Sequence, residues 1–146
     1  NAIANAKREA EQRFKSEFGA TVVDKNEIFN IDCDVFAPCA RGAILTEASV
    51  SKLKTKIVAG AANNQLAESS IADLLHSRNI LYATDYVINS GGLIHVSLDN
   101  ENDIKTKVDN IYNALHGIFQ RSQEDNLPTR VVADKIAQEI LDSKGR

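Results

Sequence analysis

Methionine and tryptophan are absent from the 146 residues, and only two prolines and two cysteines occur. The missing methionine extends to position 1, where Asn1 stands, so the sequence is expected to be part of a longer chain. Two thiols, Cys33 and Cys39, cannot staple a secreted framework or complete a four-thiolate metal site; they read as reduced cysteines of a cytoplasmic protein. No stretch approaches the roughly 20 apolar residues of a membrane span. No basic start leads into an apolar core, as a secretory signal would. Lysine and arginine are dispersed in a chain of net charge −3, which argues against a nucleic-acid or anionic-membrane partner. With no H-x-x-x-H or C-x-x-C spacing no metal is expected, and no Gly-x-Ser-x-Gly elbow is present.

What is there suffices for one globular domain, since 43% of the residues are hydrophobic and they run through the whole length. Ile3, Ala6, Ala10, Phe14 and Phe18 recur at spacings of three and four, which predicts a helix over 2–18 with Gly19 as its left-handed stop. Strands are predicted at 20–23, 32–38, 56–59 and 80–83, the second one stopped by Pro38. Thr46 and Ser70 are placed to cap helices carrying Val50 and Leu53, and Ala72, Leu74 and Leu75. Beyond Asn100 one long amphipathic helix carries Ile104, Val108, Ile111, Leu115, Ile118 and Phe119. A break at Leu127-Pro128-Thr129 leads to a last helix with Val131, Ile136, Ile140 and Leu141 on its apolar face.

Strands alternating with helices predict an α/β fold with a parallel sheet. Ligands of such sheets sit beyond the carboxyl ends of the strands. That rule selects 39–42, 60–64 and 84–92, all rich in small residues and amides. Small side chains let a ligand approach the backbone, and an asparagine donates and accepts in one plane, which suits a carboxamide or an α-carboxylate. The residues by themselves imply a nucleotide-type cleft.

Three of these stretches, taken together, carry a resemblance. Asp32-Cys-Asp-Val-Phe-Ala-Pro-Cys-Ala40, Val58-Ala-Gly-Ala-Ala-Asn-Asn-Gln-Leu66 and Asp85-Tyr-Val-Ile-Asn-Ser-Gly-Gly-Leu-Ile94 resemble, in order and spacing, the Glu/Leu/Phe/Val dehydrogenase family, and within it the leucine, phenylalanine and tryptophan dehydrogenase branch. The resemblance implies the distal half of a doubly wound, Rossmann-type NAD-binding domain over 1–100 and a carboxyl-terminal helical segment over 101–146. It implies NAD-dependent oxidative deamination of an apolar L-amino acid to its 2-oxo acid and ammonia, in a homo-oligomer. Ala40, Arg41, Ala61, Ala62, Asn63 and Asn89 would then line the cofactor, and Asn63, Leu93 and Val96 the substrate. Asn64 and the three histidines at 76, 95 and 116 read as structural or peripheral.

The sequence departs from the family in several places. Arg41 stands where an apolar residue is usual, Ser90 replaces Ala and Thr84 replaces Pro. No G-x-G-x-x-G turn occurs, and the family's catalytic lysine, substrate-carboxylate lysine and catalytic aspartate belong to an amino-terminal domain that these residues do not include. No catalytic residue is therefore assigned within this chain, and the choice between NAD and NADP is left to an acidic residue that would precede Asn1. In the strand order 3-2-1-4-5-6 the four predicted strands would be 3, 4, 5 and 6, leaving a gap two strands wide and a chain that folds poorly by itself. Two other readings stay open: a nucleotide-binding or assembly module without a catalytic domain, and a relative recruited to couple 2-oxo acids in secondary metabolism.

Overall fold

The computed structural model describes residues 2–145, with side chains from residue 8 onward. The first predicted helix forms as α1 (Ala2–Phe18), and Gly19 ends it at φ +63° while the Ala20 N–H donates back to the Phe14 carbonyl at 3.2 Å. Its apolar stripe does not bury. Phe14 and Phe18 face solvent with their rings 6.0 Å apart, and α1 packs extensively on no other described element. Ile3 and Ala6, predicted on the same stripe, lie outside the described side chains.

The strand predicted at 20–23 is not formed. Its β-branched residues favour extension, yet a strand is held by hydrogen bonds to a neighbour, and none pairs with it here. Three parallel strands follow a single 3-10 turn: β1 (Asp32–Phe36), β2 (Lys54–Val58) and β3 (Leu81–Tyr82), in the order β1-β2-β3. The described sheet is thus contiguous. The expected two-strand gap is not part of it, because the strand that would have lain beyond that gap is missing.

Helices join the strands as the alternation implies, so the molecule is α/β with a parallel sheet. α2 (Glu47–Val50) leads into β2, and α3 (Ser70–Ser77) leads into β3. Thr46 caps α2 reciprocally with Ser49: its Oγ1 accepts the Ser49 N–H at 3.1 Å and its own N–H reaches the Ser49 Oγ at 2.8 Å. The predicted Ser70 cap of α3 is displaced by one residue, for Ser69 holds the cap position and makes no side-chain bond there. After β3 come α4 (Asp85–Ile88) and α5 (Gly91–Ser97), then the long α6 (Glu101–Asp125) and α7 (Thr129–Lys144). Asn100 caps α6 by accepting from the N–H groups of Asn102 and Asp103, and left-handed Asn126 stops it.

The main core joins Phe36, Val58 and Tyr82 of the strands to Leu45, Val50, Leu53, Ile71, Leu75 and Ile80. A second cluster joins Ile118 of α6 to Val132 and Ala133 of α7, with Val87 of α4 against it. Ile140 and Leu141, predicted on the apolar face of α7, are exposed, and the cluster with α6 takes only Val132, Ala133 and Ile136 from this helix. No described helix is long and apolar enough to cross a membrane.

In the full-length protein, Leu75→Ala is expected to destabilise by about 2–5 kcal/mol, since its side chain is fully buried between α3 and the sheet. Thr46→Ala, which removes one capping bond, is expected to cost about 1 kcal/mol. Denaturant unfolding of the two variants checks this order, and equal losses would contradict it.

Candidate functional site

The strand register sets the site. Phe36 is opposite Val58 and Val58 opposite Tyr82, so three loops leave the sheet side by side at its carboxyl edge. The ladder continues one step further: the Ala59 N–H donates to Phe36 O at 3.0 Å and the Ala83 N–H to Val58 O at 2.9 Å. The loops are then stitched to one another. The Ala62 N–H donates to Pro38 O at 2.9 Å, the Ala61 N–H meets the Cys39 Sγ at 3.5 Å, and Leu45 and Leu66 form a parallel bridge. Cys33 and Cys39 are both free thiols.

Two glycines make this stitching possible. A Cβ on Gly60 would lie 2.3 Å from Pro38 O, and one on Gly42 would lie 2.7 Å from Asn63 O. Both obstacles are backbone and neither can swing away. Asn64 takes a left-handed φ of +50° and offers its carbonyl to the Ala43 N–H at 2.6 Å, a structural duty in line with its reading from sequence.

Asn63 and Asn89 come together. The Asn89 Nδ2 donates to the Asn63 Oδ1 at 2.5 Å across the loops after β2 and β3. Neither side chain serves its own turn: Asn63 bonds no local backbone, and Asn89, at the end of α4, leaves α5 to start at Ser90. After this bond the pair still presents amide protons on both residues and the carbonyl oxygen of Asn89. Around it Ala40, Arg41 and Ala61 are exposed and Ala62 is buried. Arg41 forms no ion pair or hydrogen bond among the described residues. Gly91 and Gly92 border open space, since a Cβ on either would meet nothing within 4 Å. Leu93 and Val96 stand on α5 with 71% and 79% of their surface exposed, so neither is core of this unit.

Beneath the pair lie polar residues that the sequence reading passed over. Gln65 is fully buried, and its Nε2 donates to Gly60 O at 2.7 Å and Ala62 O at 2.9 Å; its Oε1 has no partner among the described residues. Its backbone N–H donates to the Asp85 Oδ2 at 3.0 Å. Polar residues placed next to small ones in two loops were the available signal, and only tertiary contact shows that they meet. Behind Asp85, the Tyr86 hydroxyl donates to the Asp134 Oδ1 at 2.7 Å, and the Arg130 guanidinium lies 5.1 Å over the Tyr86 ring. Burial, reinforced by Asp134, holds the Tyr86 phenol well above its ordinary range, so it stays a donor at any physiological pH. A separate cleft of about 480 Å³ between α3, β3 and α6 contains His76, Asn79 and His116 and none of the predicted site residues.

A family model described as Glutamate/Leucine/Phenylalanine/Valine dehydrogenase matches residues 1–138. The leucine dehydrogenase of Geobacillus stearothermophilus is 39% identical over 145 residues, which is 97% of this chain and 40% of that one. The phenylalanine dehydrogenase of Thermoactinomyces intermedius is 36% identical over 136 residues, 89% of this chain and 37% of that one. The crystal structure of L-tryptophan dehydrogenase from Nostoc punctiforme superposes with a TM-score of 0.83 at 41% identity, covering 91% of this chain and 42% of that one. The chain therefore spans about 40% of the length of the curated relatives it matches.

The close approach of the first two loops is testable. Gly60→Ala is expected to destabilise the full-length protein by about 1–3 kcal/mol, because backbone must part from backbone. Gly91→Ala, with nothing near its Cβ, is expected to stay within about 0.5 kcal/mol of the parent. Unfolding curves that rank the two the other way would refute the packing argument.

Proposed function

The chain belongs to the glutamate/leucine/phenylalanine/valine dehydrogenase family, and from that premise we propose that it is the cofactor-binding part of an NAD-dependent enzyme that oxidatively deaminates an apolar L-amino acid to its 2-oxo acid and ammonia. The observation that carries this reading is the Asn63–Asn89 carboxamide pair at the carboxyl edge of a parallel sheet. Relatives bearing the names of leucine, tryptophan and phenylalanine dehydrogenases support the substrate class.

The residues fit such a cofactor. The carboxamides of exposed Asn63 and half-buried Asn89 keep free donors and an acceptor, which match the hydrogen-bonding needs of a nicotinamide carboxamide and an α-carboxylate, and the space over Gly91 and Gly92 is open. Asn89 would bond the nicotinamide end, and Asn63 would bond it together with the substrate carboxylate. Ala40, Ala61 and Ala62 would let the ligand lie close to the backbone, with the Arg41 stem along its edge. Leu93 and Val96, apolar and uncovered, would form one side of the substrate pocket and would favour an aliphatic or aromatic side chain over a charged one. When bound, NAD supplies the acceptor for the hydride leaving the amino acid Cα. This chain's residues would orient that carbon, with Leu93 and Val96 as its apolar side. The proton transfers that accompany loss of the amine as ammonia and entry of water belong to an amino-terminal catalytic domain.

Residues 1–100 and 101–146 would correspond to the dinucleotide domain and the helices returning from it. Assembly into a homo-oligomer and residence in the cytoplasm are part of the same proposal.

The test is turnover by the full-length protein with NAD and a panel of leucine, phenylalanine and glutamate. Ammonia-releasing NADH formation with the first two and little with glutamate is expected. NAD binding without turnover would identify a binding module, and consumption of paired 2-oxo acids without ammonia a coupling enzyme; either would overturn the reading. Asn63→Ala should lower kcat/KM by about 10- to 150-fold, the equivalent of one hydrogen bond to a charged group.

Val96→Phe should cut kcat/KM for bulky substrates about 5- to 150-fold more than for small ones, because overpacking a formed pocket costs about 1–3 kcal/mol. Steady-state kinetics across the panel measures this. An equal loss with every substrate would remove Val96 from the pocket.

A further inference from the structure

Gln65 and Asp85 have no role in the reading above, yet they are costly residues to keep. Gln65 has no exposed surface and Asp85 only 5%. Polar groups in such places lower stability unless their hydrogen bonds are met. The Asp85 carboxylate is met twice: Oδ2 accepts from the Gln65 N–H at 3.0 Å and Oδ1 from the Tyr86 N–H at 2.9 Å. One oxygen thus holds the loop after β2 and the other holds the start of α4.

The bonds continue from there in two directions. The Gln65 carboxamide uses both protons on Gly60 O and Ala62 O, so Asn63 sits between a clamped Ala62 and a clamped Gln65. On the other side the Asn89 N–H donates to the Asp85 carbonyl at 2.9 Å, suspending Asn89 one helical turn from Asp85. The Asn89–Asn63 bond closes the ring. Four residues on two loops therefore form one closed circuit, joined partly through side chains and partly through backbone, with Gln65 and Asp85 buried behind the Asn63–Asn89 pair.

We propose that Asp85 and Gln65 are positioning residues, which set the distance and orientation of the Asn63 and Asn89 carboxamides without touching the ligand themselves. The proposal rests on the reading that this pair faces cofactor and substrate. A pair of amides held from behind loses little freedom when the ligand arrives, so its hydrogen bonds are available at full strength in the reacting complex. An apolar side chain at either place would fill the space and leave the loops free to drift apart.

The experiment uses the full-length protein with Asp85→Asn and Gln65→Met, each alone and in an Asn63→Ala/Asn89→Ala background. Asp85→Asn keeps the shape but turns an amide N–H₂ onto one of two backbone donors. Gln65→Met keeps the volume and removes both carboxamide protons. Either change should lower kcat/KM by about 5- to 150-fold in the parent. In the double-alanine background, where nothing remains to be positioned, the further fall should stay below about 2-fold. Hydrogen exchange measured without cofactor should quicken over 60–66 and 84–90 and stay unchanged in β1 and β2. An undiminished loss in the double-alanine background, or faster exchange throughout the sheet, would show a purely structural role and overturn the proposal. Parent-like kcat/KM in the double-alanine protein itself would instead sink the ligand reading of the pair, and the exchange pattern would then decide the positioning role alone.

Discussion

One buried residue, Gln65, connects through its side chain and its backbone the loops that gather at the carboxyl edge of this sheet. Gln65 touches all three loops: its carbonyl accepts from Leu45 of the first at 3.0 Å, its side chain spans Gly60 and Ala62 of the second, and its N–H reaches Asp85 of the third. Each bond adds little on its own, since folding exchanges bonds to water for bonds to protein. Their joint effect lies in geometry. A residue fixed to four partners on three loops allows those loops one relative arrangement, and the amides above inherit that arrangement.

That arrangement could not close if ordinary side chains stood at two positions. Gly60 lies where a Cβ would be driven into the Pro38 carbonyl, and Gly42 where it would be driven into that of Asn63. The contacts are backbone against backbone, which lets loops of consecutive strands pair a second time at Leu45 and Leu66 beyond the end of the sheet. Below this seam the packing is ordinary, with Phe36, Val58 and Tyr82 in register and buried. The core aligns the strand ends, and the glycines let the loops above them meet.

How much of this was legible follows from the range of each interaction. Local signals read well: Gly19 as a left-handed stop, the Thr46 cap and the extent of α6 all depend on neighbours within a turn or two. Cover did not. The stripe ending in Phe14 and Phe18 has the period of a buried face, yet periodicity names no partner, and the same holds for Ile140 and Leu141 on α7. The strand at 20–23 failed for a related reason, because β-branched residues make extension easy but only a neighbouring strand makes it a sheet. Asn63 and Asn89 were singled out because three motifs in register pointed to them, and the structure brings their side chains together. Gln65 and Asp85 were not singled out, since their meaning is a contact across 20 residues of chain.

The carboxyl-terminal helices complete the argument, for β3 is only two residues long and is an edge strand. A strand that short holds its place weakly by its own ladder. α7 supplies the missing restraint: the Thr129 Oγ1 donates to the Tyr82 carbonyl at 2.6 Å, at the end of β3. Asp134, a little over one turn further along, accepts from Tyr86 at 2.7 Å and from the Arg130 Nε at 3.1 Å. The same helix therefore pins both the strand that ends at the site and the short helix that carries Asn89. α6 closes the other side, packing on α4 and α5 and, through Ile118, on α7. Among the described residues none beyond 100 hydrogen-bonds to either asparagine of the pair, yet the position of Asn89 relative to the sheet depends on them.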